Sequence, residues 1–247
     1  MSSDFFSLTD RRLAYQRQLG DKNFASVFFL SGFGSDMEGS KASFLADRCA
    51  QENVSFLRFD YRGCGQSSGS FTEATLNEWL ADSLVMLDQQ TEGPQIIVGS
   101  SMGGWIGLLL AKRRPERFRA FVGIAAAPDF TEDLIWGTLT SKQKDILLKQ
   151  KVIYDEKAPP DKRLPFTLAM VEAGRKHLIF KEPLKAPFPV RLLQGLSDSD
   201  VPWEYAPRIA NHIDGANVRV TLVKGADHSL SSPEHLELLW QTIAAFL

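Results

Sequence analysis

Residues 96–111 read IIVGSSMGGWIGLLLA, an apolar run, a glycine-rich turn and a second apolar run. The first run has the length and composition of a buried strand, and residues 102–113 have the spacing of a helix. Between them, Gly99, Ser101 and Gly103 form the pattern Gly-x-Ser-x-Gly. At a strand-to-helix turn this pattern is typical of a nucleophile elbow, in which a serine occupies a strained backbone position between small neighbours.

The turn contains two adjacent serines, and their neighbours indicate which one is the candidate nucleophile. Ser101 has a glycine two residues away on either side, whereas Ser100 has Val98 and Met102 there, which are too bulky for a tight turn. The alternative to a nucleophile elbow is a glycine-rich strand-to-helix turn whose glycines only allow close packing. A phosphate-binding loop is disfavoured, because no lysine follows in P-loop order and no G-x-G-x-x-G motif opens a first βαβ unit.

Apolar strands alternate with helical patterns along most of the chain. Strands are predicted at 25–30, 54–59, 95–98, 119–125, 190–194 and 218–223, and helices at 39–52, 75–90, 102–113, 202–212 and 233–247. These strands lack polar alternation, so we expect a mostly parallel central sheet with helices on both faces, an α/β fold. Residues 5–19 predict an antiparallel hairpin at the start.

Residues 130–188 interrupt this alternation with lysine-rich helical segments and several prolines. Because the stretch follows a central strand, we expect a small helical cap inserted into a single domain that spans residues 1–247. Its apolar side chains either line a substrate pocket or form the cap's own small core. These side chains are Phe130, Leu134, Trp136, Leu139, Phe166 and Met170.

A serine hydroxyl needs a neighbouring base to act as a nucleophile, and the chain has four histidines. His228 follows the predicted strand 218–223 on a loop that can reach the carboxyl edge of the sheet. His177 falls in the predicted cap, and His212 and His235 fall in predicted helices, where solvated or capping roles are favoured. The sequence therefore predicts His228 as the base.

The acid that orients the base is expected after the strand 190–194. Asp198 and Asp200 both lie there, and Asp198 is favoured because Asp200 is placed to cap the following helix. Asp129 is a further alternative after an earlier strand. Asp227, next to the histidine in sequence, is expected to point away from it into solvent.

An oxyanion hole needs two backbone N–H groups aimed at the charge that develops in the transition state. One is expected from Met102, which follows the candidate nucleophile. The other is expected from Phe33, in the SGFG loop after the first apolar strand.

The order Ser101, Asp198, His228 resembles that of the α/β-hydrolase superfamily, and the similarity covers nearly the whole chain. FDYRGCGQSSG (59–69) resembles the D-x-R-G-x-G-x-S loop of that superfamily. GLSDSDVPW (195–203) resembles its G-x-x-D-x-x-V-P acid loop, which supports Asp198 independently.

Within the superfamily, GPQIIVGSSMGGW (93–105), the RFDYRGCG loop and DSDVPW together resemble the ABHD branch of palmitoyl-protein thioesterases and acyl-glucuronide esterases. The resemblance implies hydrolysis of an acyl thioester or activated oxygen ester, on a small molecule or an S-acylated protein, without a cofactor or metal. Two departures are Ser31-Gly32, where the family has His-Gly, and the expected lack of a mitochondrial presequence. The alternatives are the same residues acting on a C–C or peptide bond, and a non-catalytic small-molecule receptor.

Composition disfavours several other classes of protein. The net charge of -2 and the scattered basic residues argue against nucleic-acid binding, and the apolar runs are too short to cross a bilayer. The two cysteines, Cys49 and Cys64, make no disulfide framework. Together with an N-terminus that lacks signal-peptide features, they lead us to expect a cytoplasmic location. The oligomeric state is left open.

Overall fold

The computed structural model describes residues 3–154, 159 and 163–247, and their longer strands form one large sheet. In chain order the strands are β1 (Asp4–Ser7), β2 (Arg12–Gln18), β3 (Ser26–Leu30), β4 (Phe56–Phe59), β5 (Gln95–Ser100), β6 (Phe118–Ile124), β7 (Val152–Tyr154), β8 (Pro165–Thr167), β9 (Leu184–Lys185), β10 (Val190–Gly195), β11 (Ile213–Asp214) and β12 (Val218–Val223). The eight-stranded sheet has the order β1-β2-β4-β3-β5-β6-β10-β12. β2 pairs antiparallel with β1 and β4, and the other neighbours are parallel.

Helices cover both faces of this sheet, as predicted. They are α1 (Ser40–Gln51), α2 (Leu76–Gln90), α3 (Met102–Arg113), α4 (Ser141–Gln150), α5 (Leu168–Gly174), α6 (Tyr205–His212) and α7 (Pro233–Ala244). Because successive strand residues point to opposite faces, Phe28 packs in one core with residues of α2 and α3, and Phe29 packs in another with residues of α1 and α7. The predicted fold class is confirmed.

The parallel strands direct their carboxyl ends to the same edge of the sheet. The loops after β3, β5, β10 and β12 therefore begin at this edge, and they contain the SGFG loop, the Gly-x-Ser-x-Gly turn, the acid loop and the histidine. In such sheets ligands bind in the crevice outside the carboxyl ends of the strands.

The stretch between β6 and β10 mixes helices with short strands. A π-helical turn (Thr131–Ile135) and two 3₁₀ turns (Trp136–Thr138 and Arg175–His177) accompany α4 and α5, while β7 and β8 pair antiparallel. The strand pair was not predicted; its segments VIY and PFT combine β-branched and aromatic residues, and proline disfavours a helix interior. Residues 155–158 and 160–162 of the predicted cap lie outside the described residues.

A bilayer-spanning helix needs about 20 consecutive apolar residues. Over the described ranges, no helix reaches the length and apolarity that a membrane span requires.

Candidate active site

Ser101 lies at a sharp turn between β5 and α3, with φ 53° and ψ -116°. A non-glycine residue with positive φ costs on the order of 1–3 kcal/mol and persists only where its surroundings impose it. Here the Ser101 N–H donates to the carbonyl of Ile124 at 2.9 Å, and its own carbonyl accepts from Gly104 at 2.9 Å. The turn is thus fixed from both sides.

The two flanking glycines of the motif allow this turn by their lack of a side chain. A Cβ on Gly99 would lie 2.4 Å from the carbonyl oxygen of Gly103, and a Cβ on Gly103 would lie 2.1 Å from that of Leu30. Both distances are far below van der Waals contact, so any larger residue would push the helix start away from the sheet. Ser100, by contrast, is the last residue of β5 and is buried.

The structure brings Ser101, His228 and Asp198 into one hydrogen-bonded line. Ser101 Oγ lies 3.2 Å from His228 Nε2, and His228 Nδ1 lies 2.8 Å from Asp198 Oδ2. The side chain of Asp198 is 0% exposed and that of His228 is 27% exposed. The acid is thus sealed from water, while the imidazole faces the serine at a partly open surface.

The environment of Asp198 favours its charged form. Burial alone raises its pKa, but hydrogen bonds from His228 and from the N–H groups of Val201 and Asp200 outweigh burial, and the pKa is lowered from its usual value. Oδ1 accepts the two N–H groups at 2.8 and 2.9 Å. An ionised Asp198 accepts the Nδ1 proton of His228, which leaves Nε2 free to accept a proton from Ser101.

The alternative acids are occupied elsewhere. Asp129 accepts the N–H groups of Ile179 (2.7 Å) and Phe180 (3.1 Å). Asp227 is exposed and its Oδ1 accepts from residues 229 and 230 of its own loop.

Asp200 does not cap α6, so that part of the prediction is wrong. α6 begins later than predicted, at Tyr205, with Glu204 as a cap that makes no side-chain hydrogen bond. The residues before it form a turn in which the Tyr205 N–H donates to the carbonyl of Pro202.

Of the other three histidines, two have separate ring partners, and the Nδ1 of the third, His235, is buried without a recorded partner among the described residues. His177 Nε2 lies 2.7 Å from Asn77 Oδ1, and His212 Nε2 lies 2.6 Å from the carbonyl oxygen of Glu182. His235 is in the first turn of α7, where Ser232 accepts its backbone N–H.

Gln194 is a site residue that the sequence did not identify. It is fully buried at the end of β10, and its Nε2 donates to Asp198 Oδ2 at 2.9 Å and to the carbonyl of Val201 at 3.3 Å. It thereby adds a second hydrogen bond to the carboxylate oxygen that His228 contacts. A glutamine after two leucines near the end of a strand, four positions before the acid, was the available signal.

Phe33 and Met102, whose backbone N–H groups are the candidates for an oxyanion hole, both lie in segments close to Ser101. Phe33 is in the turn after β3, and within the described part of the chain its N–H donates no recorded hydrogen bond. Met102 is the first residue of α3, where an N–H has no intrahelical partner and the helix dipole favours an anion. A Cβ on Gly32 would be 3.5 Å from Ser101 Cβ, so the SGFG loop lies directly against the serine.

The serine opens into a cleft of about 210 Å³. On the α1 side the cleft is polar; its residues there include Ser31, Ser35, Ser40 and Lys41. Phe33 also lines it, and its ring stacks on Phe166 at 5.6 Å and contacts Phe130 at 5.8 Å. Two of the apolar residues predicted within 130–188 therefore contact the ring beside the serine, whereas Met170 is fully buried in the main core.

A mostly parallel eight-stranded sheet, covered by helices on both faces and carrying a serine on a strained strand-to-helix turn, is the architecture of an α/β-hydrolase. The comparison with protein families agrees: the chain belongs to the hydrolase family described as serine aminopeptidase, S33, whose model matches residues 21–233.

The resemblance to the ABHD branch is also confirmed. The palmitoyl-protein thioesterase ABHD10 of Rattus norvegicus is 35% identical over 231 residues, covering 94% of this chain and 77% of the relative. The solved structure of α/β-hydrolase domain-containing protein 10 from mouse superimposes with a TM-score of 0.91 at 32% identity, covering 99% of this chain and 98% of the other. A hydrolase structure from Agrobacterium vitis gives a TM-score of 0.93, with the same identity and coverage.

The expected cytoplasmic location is wrong. The curated ABHD10 relatives, 32–35% identical to this chain, are named as mitochondrial proteins. Cys49 and Cys64 are both free and buried, and two free thiols do not distinguish one compartment from another.

Proposed function

We propose that this chain hydrolyses acyl thioesters or oxygen esters through a Ser101–His228–Asp198 triad and an acyl-enzyme intermediate. The observation that carries the proposal is the pair of contacts at His228, 3.2 Å to Ser101 Oγ and 2.8 Å to Asp198 Oδ2. Both distances are within the range of a hydrogen bond, which is the geometry that an activated nucleophile requires.

In the first step Ser101 Oγ attacks the acyl carbonyl carbon while His228 Nε2 takes the hydroxyl proton. The resulting imidazolium is stabilised by the buried carboxylate of Asp198. The tetrahedral oxyanion accepts hydrogen bonds from the N–H groups of Phe33 and Met102. When the tetrahedral adduct collapses, the bond to the thiol or alcohol breaks and His228 gives its proton to that leaving group.

In the second step water takes the place of the leaving group. His228 removes a proton from the water as its oxygen attacks the acyl carbon, and the same two N–H groups bind the new oxyanion. Cleavage of the bond to Ser101 Oγ then releases the carboxylic acid, and His228 returns the proton to the serine.

We also propose that residues 1–247 form one domain in which 130–188 act as a cap over the acyl group. Support comes from Phe130 and Phe166, whose rings contact Phe33 beside the cleft. The aromatic cluster around Phe33, next to a cleft lined by serine and lysine side chains, suits an ester or thioester with an apolar acyl group and a polar leaving group. The printed names of the ABHD10 relatives, palmitoyl-protein thioesterases, agree with this class.

The test begins with labelling by a fluorophosphonate and turnover of p-nitrophenyl esters of graded chain length, acyl-coenzyme A and acyl-cysteine. Ser101→Ala is expected to fold normally and to lose about 10⁴–10⁶ in turnover, because the nucleophile is removed. Ser100→Ala is the matched control and is expected to keep activity and labelling.

Two outcomes would contradict the proposal. Absence of fluorophosphonate labelling on the folded wild-type protein would favour a non-catalytic receptor. Turnover of aminoacyl p-nitroanilides in preference to every ester and thioester would favour the peptidase activity that the family's description names.

A further inference from the structure

His228 lies in the segment 224–232 that joins β12 to α7; we call residues 226–232 of it the histidine loop. Its internal hydrogen bonds are local: Asp227 Oδ1 accepts from Ser229 and from the N–H of Leu230, and Ser231 Oγ donates to the carbonyl of Ser229. Leu230 has φ 41°, a strained value for a non-glycine residue. These bonds set the shape of the loop, but they do not fix its distance from Ser101.

The ends of this stretch are held by the buried Ala226 and Leu230 and by a backbone hydrogen bond from Ser197 to the Ala226 carbonyl, and one side chain from outside the loop holds the residues directly after His228. Lys41, in the first turn of α1, places its Nζ 2.5 Å from the carbonyl oxygen of Ser229 and 3.4 Å from Ser231 Oγ. Among the described residues, no other side chain from outside the loop donates a recorded hydrogen bond to residues 227–231, the contacts of the His228 ring excepted. The atom that Lys41 holds belongs to the residue directly after His228.

The place of Lys41 is unfavourable for the helix itself. The positive end of a helix dipole lies at the N-terminus, so a cation in the first turn is repelled, and α1 has no acidic residue there to compensate. Burial lowers the pKa of Lys41, while the negative charge of Asp227 opposes that change. Lys41 therefore serves contacts outside α1, and those contacts are with the histidine loop.

Lys41 also lines the same cleft as Ser101 and His228. We infer that Lys41 is a positioning residue: by holding the Ser229 carbonyl, its side chain keeps His228 Nε2 within reach of the Ser101 hydroxyl. This inference rests on the proposed function, because it concerns the base of that reaction.

The experiment compares Lys41→Met, which keeps an unbranched side chain one atom shorter and removes the donor, with Lys41→Arg, which keeps a donor. A misplacement of about 1 Å can cost about 10²-fold in rate, so we expect kcat for a p-nitrophenyl ester to fall about 10- to 100-fold in Lys41→Met. We expect KM to change by no more than about twofold, because a base contributes to the transition state rather than to substrate binding. Lys41→Arg is expected to recover most of kcat.

Lys112→Met is the matched control, since Lys112 is exposed on α3 and pairs with Glu182 away from the cleft; wild-type kinetics are expected. Lys41→Gln serves as a second neutral variant should Lys41→Met not fold. Wild-type kcat in the folded neutral variant would overturn the inference. A raised KM with unchanged kcat would also overturn it, because Lys41 would then bind substrate.

A fall in thermal stability that Lys41→Arg fails to repair, with kcat per folded molecule unchanged, would assign Lys41 a purely structural role and overturn the inference as well. Fluorophosphonate labelling of the wild-type protein distinguishes a failure of the proposed function from a failure of the inference about Lys41. No labelling refutes the proposed function itself, whereas normal labelling with wild-type kinetics in Lys41→Met refutes only the inference about Lys41.

Discussion

Replacement of Asp198 by asparagine tests how the acid controls the base. Oδ1 accepts two backbone N–H groups and Oδ2 accepts the Nδ1 proton of His228. An asparagine has one acceptor oxygen, and in the orientation that keeps both backbone bonds its NH₂ group faces His228. Nδ1 must then become an acceptor, so the proton moves to Nε2 and the imidazole can no longer take one from Ser101.

The fold is expected to tolerate this change better than the chemistry does. Gln194 donates to Asp198 Oδ2, and its own Oε1 is buried without a recorded partner among the described residues. Rotation of the Gln194 amide presents that oxygen to the new NH₂ group and gives up only the 3.3 Å bond to Val201. The cost in unfolding free energy is therefore about 1–3 kcal/mol, the range for one buried polar group left without a partner.

Turnover is expected to fall about 10⁴-fold, the loss that a wrong histidine tautomer causes in a serine triad. The assay is kcat/KM with a p-nitrophenyl ester, with thermal unfolding followed in parallel. Asp200→Asn is the matched control, because only the backbone N–H of Asp200 contacts the site. Activity of Asp198→Asn within about tenfold of wild type would refute the assigned role of Asp198.

Two further changes probe the site's stability. Because the pKa of Asp198 is lowered in the folded protein, its contribution to the free energy of unfolding is complete above about pH 4 and is lost as the pH falls through the folded-state pKa. Thermal unfolding between pH 7 and pH 3 should therefore show that the difference in stability between wild type and Asp198→Asn becomes smaller as the pH falls. A difference that stays constant over this range would contradict the linkage. Gly103→Ala is expected to lower the free energy of unfolding by more than about 3 kcal/mol, because its Cβ meets the Leu30 carbonyl at 2.1 Å. Gly225 has φ +76° and open space around it, so Gly225→Ala should lower the free energy of unfolding by only about 1 kcal/mol, measured by denaturant unfolding. Equal losses in the Gly103→Ala and Gly225→Ala variants would refute the steric reasoning.

Local sequence patterns predicted the sheet and the elbow well, because both depend on residues close together in the chain. The boundaries of α3 and β12 match the predicted ranges 102–113 and 218–223. The late start of α6 was missed because Val201-Pro202 resembles a helix entrance, whereas the following residues close a separate turn.

The supporting contacts of the site could not be predicted in this way. Lys41 meets Ser229 across 188 positions of the chain, and neither residue belongs to a motif that would indicate the other. Gln194 is only four residues before the acid, yet its role depends on its amide being directed at Asp198, which no spacing rule specifies. A sequence motif predicts local backbone geometry, whereas these side-chain contacts form only when segments distant in the chain pack together.

Phe33 carries an aromatic ring that stacks on Phe166, and the residue lines the same cleft as Ser101. The ring also contacts Phe71 and Trp79 of the body of the protein. Under the proposed function, acyl-chain selectivity and turnover are therefore coupled through this one residue. A library at positions 130 and 166, selected for new acyl groups, is then expected to alter turnover as well as selectivity, because both positions contact the Phe33 ring.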